Sequence, residues 1–217
     1  MKAKRTDSKT AAAILEAAGK IFAANGFGGS TVREICREAG VNLAAVNYHF
    51  GSKEGLYLAV LKRFQKESSV ADVSDPDLYQ VKNPEEQLKI YIRSFLTRIM
   101  DESPPAWFGR LLAREFTEPT WAFDVLVEET IRPRFERLNE IVAAIAGKRV
   151  QDPSVRKSSM SIIGQCLYFR HARPVISRLY PGEVFGPKQI DALTEHIVSF
   201  SINGLKKDKK VQTCKKR

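Results

Sequence analysis

The sequence of 217 residues predicts an all-α protein made of a small N-terminal head and a larger helical body. Three observations carry that expectation. Apolar residues recur at spacings of three and four along most of the chain, no β-branched run alternates with period two, and residues suited to helix caps stand where the periodic stretches begin and end.

Ile14, Ala17, Ala18, Ile21 and Phe22 form the apolar face of a first helix, which Asn25-Gly26 closes through a left-handed cap. Thr31-Val32-Arg33-Glu34 has the form of a capping box and starts a short second helix that ends at a chain reversal on Gly40. Asn42 caps a two-turn third helix ending before Gly51, with Ile35 and Val46 as the contact between helices two and three, Cys36 at their crossing and Phe50 in the core. Ser52 caps a fourth helix, whose buried stripe is Leu56, Ala59, Val60 and Phe64 and which frays in the polar stretch 67–84. The domain boundary falls near Ser68, giving a head over 1–68, a body over 69–205 and a flexible basic tail over 206–217.

In the body, Leu88, Ile92, Phe95, Leu96 and Ile99 predict one helix and Trp107 to Phe116 a short one. Trp121 to Ala146 reads as helical with a kink or break at Pro133, which lacks an amide. Two late helices carry Met160, Ile163, Gly164 and Leu167, then Ile190, Leu193, Ile197 and Phe200, separated by the Pro/Gly-marked segment Pro174 to Pro187.

Composition narrows the function. With 43% apolar and 28% charged residues the chain is neither collagen-like, disulfide-scaffolded nor wholly disordered. Cys36, Cys166 and Cys214 share no close spacing, so no disulfide framework, zinc site or other cofactor is expected. No apolar run reaches membrane-spanning length and the N-terminus carries no secretory apolar region, so a cytoplasmic location is expected. Residues 1–68 carry 11 Lys/Arg against 6 Asp/Glu, residues 69–205 carry 17 against 18, and 206–217 carry 7 against 1. A basic head on a neutral body points to a polyanion-binding module. The lysines of the tail are as readily a solvated face, and alone they bind a membrane only weakly.

Residues 31–50 have the helix, Gly turn and short helix of a helix-turn-helix, though a generic helical hairpin shares that outline. The exposed chemistry is more telling. Leu43, Ala44, Ala45 and Asn47, preceded by Asn42, combine short side chains with a hydrogen-bonding group, as major-groove reading requires. Thr31, Arg33, Tyr48, His49 and Lys53 surround them as candidates for phosphate contact. Tyr48 also suits the core, His49 a surface and Thr31 a cap alone. Phosphate-binding, nucleophile-elbow, dinucleotide and zinc-protease motifs are absent, and His49, His171 and His196 do not pair in sequence, so an enzyme is not expected. A DNA-compacting protein without sequence preference needs only the basic ends.

Thr31-Val-Arg-Glu-Ile, Ala39-Gly40-Val41 and Tyr48-His49-Phe50-Gly51-Ser52-Lys53-Glu54 resemble the signature of the TetR family of bacterial transcriptional repressors, over about Lys9 to Phe64. The resemblance implies a homodimer joined through the last two body helices, binding a double-stranded palindromic operator and released by a small-molecule inducer. It places Thr31, Tyr48, His49 and Lys53 on phosphates, and Arg33 with Leu43 to Asn47 near bases. Ala44-Ala45 departs from the Gly or Pro followed by Thr or Ser common in the family, so a hydroxyl contact at Ala45 is lost. Arg114-Glu115-Phe116 and Ile131-Arg132-Pro133-Arg134-Phe135 are similar to a subgroup of efflux and antibiotic-response regulators. Trp107, Phe108, Trp121, Phe123, Tyr168 and Phe169, with Arg110, Arg114 and Gln165 as polar partners, either line a largely apolar inducer pocket or form core.

Overall fold

A computed structural model describes residues 2–67, 80–101, 105–182 and 186–214, with side chains for all of these except 2–6, 64–67, 187 and 207–214. In chain order the helices are α1 (Lys2–Asn25), α2 (Val32–Ala39), α3 (Leu43–Phe50), α4 (Lys53–Glu67), α5 (Pro84–Met100), α6 (Ala106–Thr117), α7 (Trp121–Leu126), α8 (Arg132–Ala146), α9 (Pro153–His171), α10 (Arg173–Leu179) and α11 (Pro187–Cys214). A π-helical turn, Val127–Ile131, connects α7 to α8. No strand occurs among the described residues, so the chain is all-α. The side chain of Phe64 and the stretch 68–79, where fraying is expected, lie outside the described residues.

The chain forms two compact units, one from residues 1–68 and 102–130, the other from 69–101 and 131–217. Residues 102–130, expected in the body, belong to the N-terminal unit. The reason is packing: α1 supplies Ile14, Ala17, Ala18 and Phe22 to a core that Trp107, Phe108 and Leu111 of α6 complete. Periodicity reveals that α6 has an apolar face, not which helix covers it. Gly19 makes the approach close, since a Cβ there would lie 2.1 Å from the Trp107 ring. The Trp107 indole N–H donates to Glu16 Oε1 at 2.9 Å, giving its one polar atom a partner.

Within this unit the turns form as the sequence predicts. Gly26 and Gly40 take φ of 71° and 66°, where a side chain would strain the backbone. Ile35 and Val46 are fully buried, Cys36 nearly so, and Phe50 is partly buried against the same core. Ser52 Oγ accepts from the Gly55 amide at 3.1 Å and caps α4.

The second unit packs α5, α8, α9 and α11 around Leu88, Ile92, Leu96, Leu138, Val142 and Ile197. Lys89–Glu195 at 2.6 Å, Arg93–Asp191 at 2.7 Å and Lys206–Glu85 at 2.7 Å tie α5 to α11. All are exposed enough that they set register more than stability. The interruption expected at Pro133 falls just before it: the run stays helical from Trp121 to Ala146, but the π-helical turn replaces regular α-helix immediately ahead of the proline, which stands in the first turn of α8. Two other expectations change. The segment after Pro174 contains α10, with that proline in its first turn. Residues 206–214 continue α11 where a flexible tail was expected, in a lysine-rich stretch without Gly or Pro.

Of the apolar residues that mark α9, Ile163 packs on the core. Val155, Ser159, Ile162 and Cys166 face the core, whereas Met160 and Gly164 are exposed. On α11 Thr194, Ile197, Val198, Ser201 and Leu205 are buried and Phe200 is 64% exposed. No helix among the described residues is long and apolar enough to cross a membrane.

Candidate nucleic-acid interface

The interface is built on α2, α3 and α4. Thr31 closes both halves of the capping box: its Oγ1 accepts from the Glu34 amide at 3.2 Å, and Glu34 Oε2 accepts from the Thr31 amide at 2.9 Å and its hydroxyl at 2.8 Å. The bonds from the Thr31 side chain and then its backbone hold the Glu34 carboxyl below its ordinary range. Asn42, two residues after the Gly40 reversal, caps α3: its Oδ1 accepts from the Ala45 amide at 2.9 Å.

One side chain of α3, Val46, is fully buried and fixes the rotation of the helix. The opposite face is then set by helical geometry. Leu43 is half exposed, Tyr48 is 76% exposed, and Ala44 and Asn47 are exposed, as are Arg33 on α2, Thr31 and Asn42. Ala45 is half-buried and packs against the core, so it stands further back than the sequence alone suggests.

The remaining two phosphate candidates are already engaged. The side chain of His49 is largely buried, with Nε2 3.3 Å from Asp7 Oδ1 of α1. Lys53, in the first turn of α4, holds its ammonium 4.4 Å from the centroid of the Phe27 ring. Neither contact was read from the sequence, because each joins residues more than twenty positions apart without a shared motif.

A third unforeseen feature lies deeper. The Tyr57 hydroxyl of α4 donates to Glu115 Oε1 of α6, a carboxylate that is only 1% exposed. Thr120 adds its amide to Glu115 Oε2 at 3.2 Å and its hydroxyl at 3.0 Å to Oε1, while its Oγ1 accepts from the Ala122 amide at 3.3 Å to cap α7. Burial, and then the bond to Glu115, pushes the Tyr57 phenol well above its ordinary range. The available signal was Glu115 itself, placed four and eight residues after Leu111 and Trp107 on the buried face of α6.

The aromatic candidates for an inducer site divide between the units. Trp107 and Phe108 are buried in the core of the first, with ring centroids 6.2 Å apart. Arg110 is exposed, Arg114 reaches Glu118 at 3.2 Å and covers Gly26, and Phe123 meets the exposed Phe116 edge-on. Trp121 packs its edge on Phe27. Gln165, Tyr168 and Phe169 belong to the second unit. There Gln165 Nε2 donates to the Ser161 carbonyl at 3.4 Å, Phe169 packs on the core and Tyr168 is exposed. No group of three or more metal-ligating side chains occurs among the described residues.

A rigidly capped short helix with small and hydrogen-bonding side chains turned outward, beside an exposed arginine and tyrosine, defines a helix-turn-helix DNA-binding protein. Comparison with known proteins agrees over both segments. Residues 14–60 match the family described as "Bacterial regulatory proteins, tetR family", and residues 84–205 match "HTH-type transcriptional dual regulator CecR, C-terminal domain". The chain belongs to the TetR family of helix-turn-helix regulators: it is a sequence-specific DNA-binding regulator and not an enzyme. CecR of Shigella flexneri is 27% identical over 159 residues, covering 68% of this chain and 70% of its own length. The repressor AcnR of Corynebacterium efficiens is 30% identical over 129 residues, covering 57% and 63%. Among solved structures, the hemolysin II transcriptional regulator HlyIIR is similar at TM-score 0.56 and 26% identity, over 86% of this chain and 97% of that one. FadR of Bacillus subtilis, solved with stearoyl-CoA, shares the fold at TM-score 0.55 and 17% identity, over 88% and 97%.

Proposed function

We propose that the protein is a ligand-released repressor that binds a palindromic operator as a homodimer, in the compartment that holds the chromosome. The observation that carries this reading is the orientation of α3: Val46 inward, with Leu43, Ala44, Asn47 and Tyr48 outward. In a dimer two such helices enter successive major grooves about 34–36 Å apart. Asn47 reads a base edge and Leu43 and Ala44 approach bases, with Ala45 and Asn42 behind them. Tyr48, Arg33, Thr31, His49 and Lys53 border the groove.

The second unit offers a surface for self-association. Met160, Gly164 and Tyr168 recur every four residues on the exposed face of α9, and exposed Phe200 of α11 stacks on His196 at 6.4 Å. Outward apolar residues on both late helices support dimerisation through them. The inducer is proposed to be a largely apolar small molecule. If it favours one spacing of the paired heads, shifting the population from 1:99 to 99:1 takes roughly 5.5 kcal/mol of differential affinity. The relatives' names describe a dual regulator and a repressor, and repression is the direction proposed here.

Sequencing the DNA fragments retained by the purified protein yields the operator, on which two variants test the division of roles. Asn47→Ala is expected to cost about 1–3 kcal/mol at one base pair, while Tyr48→Phe weakens operator and random DNA alike. Arg33 and Lys53 in each head, as the cationic groups bordering the groove, give a salt slope on the order of four for the dimer. A slope near one, or equal losses on both DNAs for both variants, refutes the reading. Phe200→Lys is expected to yield monomers in analytical ultracentrifugation, and an unchanged dimer refutes the proposed interface.

A further inference from the structure

We infer that Phe27 is a positioning residue for DNA binding, holding the Lys53 ammonium against its ring face so that the charge is already in place when a phosphate arrives. The inference rests on the proposed phosphate contact of Lys53.

Lys53 occupies an awkward position. It stands in the first turn of α4, where the partial positive charge of the helix N-terminus disfavours a cation. A lysine side chain also has rotamer entropy to lose on being fixed. Two carboxylates lie within the field of that ammonium, and both are committed to caps, Glu34 to Thr31 and Glu54 to Ser52. The Phe27 ring offers its negative face at 4.4 Å, well inside the range over which a cation is attracted to an aromatic quadrupole.

The ring itself is clamped. Tyr57 meets it edge-on at 5.1 Å, Trp121 at 6.3 Å, and Phe22 stacks beside it at 6.3 Å. Tyr57 is in turn locked by Glu115. Phe27 follows Gly26, whose left-handed backbone sets where the ring leaves α1. An ammonium has three N–H donors, and a ring on one side leaves the others free to meet phosphate oxygens. The aromatic contact and the phosphate contact are therefore compatible, and the first lowers the ordering cost of the second.

A cation–π contact at an exposed site is worth about 0.5–1 kcal/mol, or roughly 2- to 5-fold in affinity. Two per dimer give about 5- to 30-fold. The test uses the full chain and the operator fragment it retains, with 3,4,5-trifluorophenylalanine at position 27. That residue keeps the shape of the ring and removes most of its negative face. The fluorinated protein is expected to bind operator about 5- to 30-fold more weakly, with its thermal midpoint lowered by only about 1–4 °C. Phe27→Tyr is expected to bind like the parent. In a Lys53→Met background, fluorination is expected to have no further effect. Equal losses with and without Lys53 assign Phe27 a packing role and overturn the inference, as does parental affinity of the fluorinated protein. If Lys53→Met leaves operator affinity and salt slope unchanged, the phosphate contact itself is absent, and that failure is distinguishable from the first two.

Discussion

Removing the Tyr57 hydroxyl probes the polar node that joins α4 to α6 and α7 inside the first unit. In Tyr57→Phe the Glu115 carboxylate keeps the Thr120 amide at 3.2 Å and the Thr120 hydroxyl at 3.0 Å, but loses a donor at a site only 1% exposed. A hydrogen bond to a charged group contributes about 1.5–3 kcal/mol, so a loss of about 2 kcal/mol is expected. Glu115→Leu leaves the buried Tyr57 hydroxyl without its acceptor and removes the acceptor of Thr120, at about 2–4 kcal/mol in total. The double variant Tyr57→Phe/Glu115→Leu has no orphaned hydroxyl at position 57 and buries two apolar side chains instead. It should therefore cost less than the sum of the singles by about 1.5–3 kcal/mol. The assay is urea denaturation followed by far-UV circular dichroism, at one fixed protein concentration because dimerisation contributes to apparent stability. If Tyr57→Phe lies within about 0.5 kcal/mol of the parent and the two changes are additive, the node is not the polar tie described.

Further expectations concern packing and titration. Gly55→Ala sets two effects against each other. Helix propensity alone favours alanine by about 1 kcal/mol, but a Cβ at position 55 would lie 2.1 Å from the Phe50 carbonyl oxygen. The clash is expected to win, lowering stability by about 1–3 kcal/mol and weakening operator binding through a shift at the end of α3; a gain in thermal midpoint refutes it. Burial pushes the Cys166 thiol up to about 12, so mass spectrometry after iodoacetamide treatment at pH 8 should find it unlabelled in the native protein and labelled in urea. Burial also pushes Tyr91 up to about 12. Both groups ionise at lower pH when unfolded, so they contribute stability below about pH 9 that is lost progressively towards pH 12. A flat denaturation midpoint across that window refutes the assignment.

Much of the interface was legible because it is local. A capping box, a left-handed glycine and an Asn cap act within four residues, so Thr31, Gly40 and Asn42 could be assigned from spacing, and the inward Val46 followed from the apolar pattern. The charge partners of His49 and Lys53 were not legible, since Asp7 and Phe27 reach them only once α1 has packed on the rest of its unit. Which face of α9 is buried was not legible for a related reason. Met160 and Gly164 share a helical face as readily as Ser159 and Cys166 do, and apolar character alone does not distinguish a face turned to the core from one left for a partner.

By itself the sequence determined the all-α class, the capped helix-turn-helix and the outward chemistry of α3, all consequences of hydrogen bonds and periodicities spanning one or two helical turns. Only the tertiary structure decided that α6 and α7 close the N-terminal unit, that Glu115 is buried against Tyr57, and that Lys53 rests on an aromatic ring. Those contacts join residues far apart in the chain, and their energy exists only when steric fit, as between Gly19 and Trp107, brings the surfaces together.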